Sequence, residues 1–371
     1  MRVAGGWRLT LLIALAAVLL SCARAGIAAS PGPTAEPIVT RDVSARIDSL
    51  MRNAISEQHV AAVSLAIARG GRVIYAKGYG YRDLARRLPA TPETIYNIAS
   101  NSKQFTAACV LLLQQDGKLN IDDSLSKYVP AFPNGDKITI HQVLNHTSGL
   151  TDYLDTIDNA TLTPAKVRAA VYKTKLKFKP GTRYDYSNTN FIVAGYIVEK
   201  VSGMPFDDFL RTRIIKPLGL QETTVGTAPM DLAGGAVGYT VVKSRTVPTV
   251  PQTVAILDFP DGGINSTVLD LVQWDDALDT GRVINKNLLE VMFTPSRFRQ
   301  DPDWPGFGYG LGVHVGSVAG HREVAHTGGW TGFTSENATL PDQRFAVVML
   351  SNTDTFDKRP MTRRIISLFY R

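Results

Sequence analysis

Ser100 and Lys103 stand three residues apart in "NIASNSKQFTAACVLLLQQDG" (97–117), with Ser102 between them. A hydroxyl beside an amine is the material of nucleophilic catalysis, provided the amine can accept a proton. On a helix, residues i and i+3 share a face, whereas Ser102 and Lys103 diverge by about 100°. If Lys103 activates a serine, Ser100 is the one within reach. The apolar run from Phe105 predicts a helix with Ser100 as its cap, where free N–H groups favour an oxyanion. A charged lysine is no base. Burial against Ile98, Ala99, Phe105, Ala107 and Ala108 would lower its pKa enough to make it one.

The chain repeats the pattern at Ser124 and Lys127, in "NIDDSLSKYVPAFP". Here Asp122 and Asp123 would hold the lysine charged, and Pro130 stops any long helix. This copy reads as a solvated turn. Two further groups carry chemistry. "RYDYSNTNFIVAGYIVEKVSG" places Tyr186 and Asn188 on a loop before an apolar helix; the phenol can shuttle a proton and the amide can bind a substrate carbonyl. "VAHTGGW" places His326, Thr327, Gly328 and Gly329 on a strand whose bare backbone lets a substrate lie along its edge. No metal site is expected: His141 and His146, like His321 and His326, are five apart, which diverges on a helix and changes face on a strand.

Elements to position these groups follow from periodicity. Residues 41–58 place Val43, Ile47, Leu50, Met51 and Ile55 at helical spacing. "AAVSLAIARGGRVIYAKGYG" reads as a hairpin about Gly70-Gly71. Residues from roughly 102 to 225 read as a mostly helical subdomain. A helix over 264–281 is capped near Ser266 or Thr267 and stopped by Gly281. "YGLGVHVG", "REVAHTGGW", "TSENATL" and "RFAVVMLSN" then read as strands, and "RPMTRRIISLFY" as a closing helix. The expected fold is mixed α/β (α+β): an antiparallel sheet built from strands of both chain ends, flanked by helices, with the helical subdomain inserted.

At the N-terminus, Arg2 and Arg8 precede the apolar run Leu9 to Leu20, then small residues follow. Residues 1–25 are expected to be an export signal, 26–40 a Pro-rich linker, and 41–371 the folded domain. The product is expected to be periplasmic or extracellular. Cleavage after "Ala23-Arg24-Ala25" gives a soluble product; reading "Leu19-Leu20-Ser21-Cys22" as a lipoprotein box tethers the chain to a membrane through Cys22. Beyond the leader only Cys109 remains, a buried small hydrophobe in an apolar helix, so no intrachain disulfide is expected. The formal charge of +7 includes three leader arginines, and no basic block carries interleaved aromatics, so nucleic acid is not an expected partner.

Taken together and in order, Ser-x-x-Lys, Tyr-x-Asn and His-Thr-Gly resemble the penicillin-recognising serine enzymes, which include class C β-lactamases, DD-carboxypeptidases, D-aminopeptidases and related esterases. "VLNHTSGL", "PLGL", "DGGINSTVLDLVQW" and "YGLG" add to the likeness, which spans about residues 45 to 365. The resemblance implies a β-lactamase/transpeptidase-like fold and an acyl-enzyme cycle without metal or cofactor. Ser100 would be the acylated nucleophile, with Lys103 and Tyr186 sharing base and relay duty, the primary base left open. Asn188 would bind the substrate's amide or ester side. Backbone N–H groups of Ser100 and Gly329 would form the oxyanion hole, and His326 and Thr327 would orient the substrate. His326 stands where class C β-lactamases have lysine, and a neutral imidazole attracts a carboxylate less. The expected substrate is therefore a D-amino-acid peptide, such as D-Ala-D-Ala, or a small ester. The alternatives are a β-lactamase and a non-catalytic envelope binding protein on the same fold.

Overall fold

The computed structural model describes residues 39–157, 162–249, 259–298 and 301–370. The proposed leader, Cys22 and nearly all of the proposed linker lie outside them.

Eight strands form one antiparallel sheet: β1 (Ala62–Arg69), β2 (Arg72–Asp83), β3 (Leu88–Pro89), β4 (Gly308–Tyr309), β5 (His314–Val318), β6 (His321–Trp330), β7 (Phe333–Leu340) and β8 (Phe345–Ser351). Their order is β3-β2-β1-β8-β7-β6-β5-β4. The expected hairpin forms β1 and β2, with Gly70 and Gly71 both at positive φ in its turn. The two chain ends meet in the middle: β1 pairs with β8 from Val63↔Ser351 to Arg69↔Phe345.

Both central strands are buried on both faces, and alternation sorts their side chains. Val63, Leu65 and Ile67, with Phe345, Val347 and Met349, meet Ile47 and Met51 of α1 (Arg41–Glu57) and Ile365 and Ile366 of the C-terminal helix Arg359–Phe369. Ala66, Ala68, Val348 and Leu350 face the larger core. There small alanines leave room for α2 (Ser102–Gln115) and α4 (Val268–Asp279), the latter capped by Thr267. Helices of the middle region, including α3 (Asn188–Ser202), complete that core.

Helix α2 is buried on every side from Ser102 to Leu113, so it is a core helix rather than an amphipathic one. Cys109 sits in this wall as a free, buried thiol whose pKa burial pushes up. Ser100 differs from the expected cap. It lies in a separate 3-10 turn, Ala99–Asn101, and α2 starts only at Ser102. The turn is set by neighbours instead. Asn97 Oδ1 accepts from the Ala99 N–H at 2.9 Å, and Ala99 takes a left-handed φ of 47°. That conformation costs an L-residue about 1–2 kcal/mol and must be held by packing. Asn101 donates to Ser335 Oγ at 2.7 Å, and Ser335 donates to the Ile98 carbonyl at 2.6 Å, pinning the turn to β7. Ser102 Oγ, fully buried, accepts from the Ile264 N–H at 3.1 Å. The second serine of the pair is thus a structural one.

Candidate active site

Lys103 has no exposed surface. Its Nζ lies 3.0 Å from Ser100 Oγ, 2.8 Å from Asn188 Oδ1 and 2.8 Å from the Asp261 carbonyl. As an ammonium it donates to all three. As an amine it keeps two hydrogens and one lone pair. Asn188 Oδ1 and the Asp261 carbonyl can only accept, so they retain the hydrogens, and the lone pair falls to the Ser100 hydroxyl. Burial draws the Lys103 pKa down to about 8, against the opposing pull of the Asp261 and Asp152 carboxylates. Burial also lifts the Asp261 carboxyl to about 6, restrained by Lys103 and by the Tyr153 hydroxyl, which donates to Oδ2 at 3.0 Å.

Tyr186 reaches the same hydroxyl. Its phenol is pushed above its ordinary value by burial, and a hydrogen bond with Ser100 works in the other direction. Lys103 Nζ lies 5.0 Å from its ring centroid. Beneath that ring, His146 packs at 4.2 Å between centroids. His146 Nδ1 accepts from the Ser187 N–H at 3.2 Å, which places the proton of the neutral ring on Nε2. Burial and the Lys103 charge keep the ring neutral.

Asn188 opens α3. Asp152 Oδ2 accepts from its backbone N–H at 2.8 Å and its side-chain Nδ2 at 2.9 Å. The amide is therefore clamped between Lys103 and Asp152, its Oδ1 turned to the lysine, and one Nδ2 hydrogen is left for a substrate. His326 is buried and neutral, its pKa held well below the ordinary range by burial, with His314 and Lys103 nearby opposing a second proton. Its Nδ1 donates to the Thr327 carbonyl at 2.6 Å, and its Nε2 accepts from the Tyr309 hydroxyl at 2.9 Å. Both ring nitrogens are engaged within the protein, so His326 offers a substrate carboxylate neither charge nor a free donor.

The two glycines of the motif differ. A Cβ on Gly328 would collide with the Ile98 carbonyl and the Ser335 hydroxyl, so this glycine lets β6 press on the Ser100 turn. A Cβ on Gly329 would meet nothing within 4 Å. Gly329 and Ser100 line two clefts at once. One holds Tyr153, Leu154, Asn188, Phe259 and Trp330. The other holds Tyr186, Thr327, Asp301, Asp303 and His314. Ser100 stands where they join.

The beta-lactamase family model matches residues 46–369. The chain belongs to the beta-lactamase family. Among curated relatives, penicillin-binding protein 4* of Bacillus subtilis is 30% identical over 319 residues, covering 81% of this chain and 70% of that protein. The chain spans 64 to 70% of the length of the first curated relatives it matches. Among solved structures, the octameric penicillin-binding protein homologue of Pyrococcus abyssi aligns with a TM-score of 0.79 and 29% identity, over 88% of this chain and 77% of that one. A D-stereospecific amidohydrolase from Streptomyces sp. aligns with a TM-score of 0.73 and 28% identity, over 85% and 97%. The family's mixed α/β fold, a large antiparallel sheet flanked by helices, is the one described above.

Of the residues this family member was expected to use, Ser100, Lys103, Tyr186 and Asn188 converge on one another. Thr327, Gly329 and the buried His326 line the clefts, and Gly328 packs against the turn. Sequence reasoning missed Asp152, Asp261, His146 and Tyr309. Asp261 and His146 stand inside "DGGINSTVLDLVQW" and "VLNHTSGL", phrases visible in the sequence but without a role until the fold brought them to Lys103 and Tyr186. His146 also takes a positive φ of 58°, and Gly149 one of 80°, so that segment is a shaped turn rather than helix. Among the described residues no group of three or more His, Cys, Asp or Glu side chains converges to hold a metal.

Proposed function

We propose that the chain is an exported serine hydrolase that works through an acyl-enzyme on Ser100. The observation that carries this reading is the coordination of Lys103 Nζ, whose two carbonyl partners leave its lone pair to the Ser100 hydroxyl. Lys103 then takes the Ser100 proton during attack. Tyr186, a neutral phenol bonded to Ser100, relays that proton to the departing group. Ester or amide cleavage leaves the acyl group on Ser100, and water releases it in a second step. The N–H groups of Ser100 and Gly329 receive the oxyanion, and the free Nδ2 hydrogen of Asn188 receives the acyl part.

The substrate class is an amide or ester of a D-amino acid, or a small ester. The amidohydrolase likeness supports the first, and the neutral, fully engaged His326 argues against a substrate anchored by a carboxylate, as penicillin or D-Ala-D-Ala would be. Export rests on the charged-then-apolar pattern of residues 1–25, with Cys22 as the alternative tether. The test is hydrolysis of D- and L-alanine p-nitroanilide and p-nitrophenyl acetate, with intact-mass and peptide mapping of the trapped adduct. Acylation of Ser100 with faster release from the D-anilide is expected. An adduct elsewhere, or turnover surviving in Ser100→Ala, overturns the mechanism; an L preference overturns the D-amino-acid assignment.

A further inference from the structure

The two clefts that meet at Ser100 differ in chemistry. The one that contains Asn188 is walled mainly by aromatic and apolar groups, Tyr153, Leu154, Phe259 and Trp330, and its one acidic residue, Asp261, accepts from the Tyr153 hydroxyl. The one that contains Tyr186 carries three carboxylates, Asp185, Asp301 and Asp303, among rings and hydroxyls. Asp301 and Asp303 stand in its rim, on the segment leading to Trp304, and no lysine or arginine lines it among the described residues. Asp185 also lines it but is paired with Lys177 at 2.9 Å, which leaves Asp301 and Asp303 as the lining carboxylates that no lysine or arginine pairs among the described residues.

Asp301 is fixed as an acceptor. Its Oδ2 takes hydrogen bonds from the Tyr184 hydroxyl at 2.9 Å and from His314 Nε2 at 3.0 Å. Because His314 donates through Nε2, its Nδ1 carries a bare lone pair. That nitrogen is buried and has no hydrogen-bond partner among the described residues, although the ring lines the cleft and is only 2% exposed. An unpartnered buried acceptor is a debt that a donor ligand settles. The wall behind is rigid. Trp304 stacks on His314 at 4.0 Å and 7°, and the Arg359 guanidinium lies 3.5 Å from the centroid of the Trp304 ring. Arg359 is itself paired with Glu336 at 3.0 Å and Glu323 at 3.5 Å, so its charge is compensated.

Tyr186 is in this cleft and Asn188 is in the other, which fixes the sense of the substrate. The group that hands a proton to the departing fragment must stand beside it, so the leaving part lies along Asp301 and Asp303. We propose that this cleft is a leaving-group subsite that selects a departing fragment bearing a positive charge, an ammonium or a quaternary amine, and rejects one bearing a carboxylate. The proposal rests on the acyl-enzyme reading and adds to it the charge of the leaving group.

Three acetate esters separate the two ideas: phenyl acetate, 3-carboxyphenyl acetate and 3-(trimethylammonio)phenyl acetate. Each kcat/KM is divided by the ester's own hydroxide-catalysed rate, which removes differences in leaving-group acidity. The expected order is cationic over neutral over anionic, with about tenfold between neighbours at low salt, and it narrows as sodium chloride is raised. Asp303→Asn, at an exposed position, should lower the cationic-to-neutral ratio severalfold; the salt series on the unaltered protein tests the same point if Asp301→Asn disturbs folding. A flat or reversed order, with acetyl-Ser100 still formed, overturns the subsite alone. No turnover of any ester and no acetyl adduct overturns the acyl-enzyme reading and the subsite with it.

Discussion

The chain writes Ser-x-x-Lys twice, and the two copies end in opposite states. At Ser100 and Lys103 the lysine is fully buried, bonded to a serine and two carbonyl oxygens, and its pKa falls to about 8. At Ser124 and Lys127 the lysine is exposed and donates to Asp123 Oδ2 at 2.7 Å, and this bond raises its pKa. Ser124 Oγ meets Ser126 Oγ at 3.1 Å rather than the lysine. The spacing is the same. What differs is the partner: a carboxylate in water stabilises the ammonium, whereas neutral carbonyls in a dry core leave it close to losing a proton. A short motif is therefore a question about its surroundings.

The sharpest way to break the comparison is to remove each serine. Ser100→Ala should abolish ester turnover, a loss of about 10⁴-fold or more, while Ser124→Ala should leave kcat/KM unchanged; equal effects would end the distinction. Next come the lysines. Lys103→Met should cost about 10²–10⁴-fold in kcat, the range for a general base, and Lys127→Met should cost nothing measurable in the same assay.

The third test strikes the packing that keeps the first copy dry. Gly328→Ala forces a methyl into the Ile98 carbonyl and Ser335, and should destabilise the fold by about 1–3 kcal/mol. Gly329→Ala, which meets open space, should leave the melting temperature close to that of the parent and act on substrate alone; denaturant unfolding of both variants separates the effects.

The smallest effect is a shift in pH. With Lys103 as base, kcat/KM should rise with an apparent pKa of about 8 as the ammonium gives up its proton. The Asp261 carboxylate favours the charged lysine, so Asp261→Asn should move that limb to lower pH. A limb that moves upward would mean that another group is the base.

Some of this was legible beforehand. The hairpin at Gly70-Gly71, the α1 helix, the final strands and the closing helix follow from apolar periodicity and turn residues, because those signals are local. Ser100 over Ser102 followed from helical spacing, even though Ser100 proved to sit in a 3-10 turn shaped by Asn97 and Ala99 rather than at a helix cap. Asp152, Asp261, His146 and Tyr309 were not legible. Each acts on Lys103, Asn188, Tyr186 or His326 from a distant part of the chain; Asp261, His146 and Tyr309 lie in "DGGINSTVLDLVQW", "VLNHTSGL" and "YGLG", but nothing local says which group they serve.

Residue order alone set the alternation that sorts the two faces of the sheet, the identity of the serine within reach of Lys103, and the solvated character of the second copy, since acids four and five residues from Lys127 act without a fold. The assembled fold decided that Lys103 is enclosed by Asn188 and Asp261, that His326 is neutral and engaged, and that three carboxylates line one cleft beside Ser100 and one lines the other. Those outcomes depend on groups dozens to hundreds of residues apart, whose mutual distance, and hence whose charge state, is fixed when α3 packs on α2 and β6 packs on the Ala99–Asn101 turn.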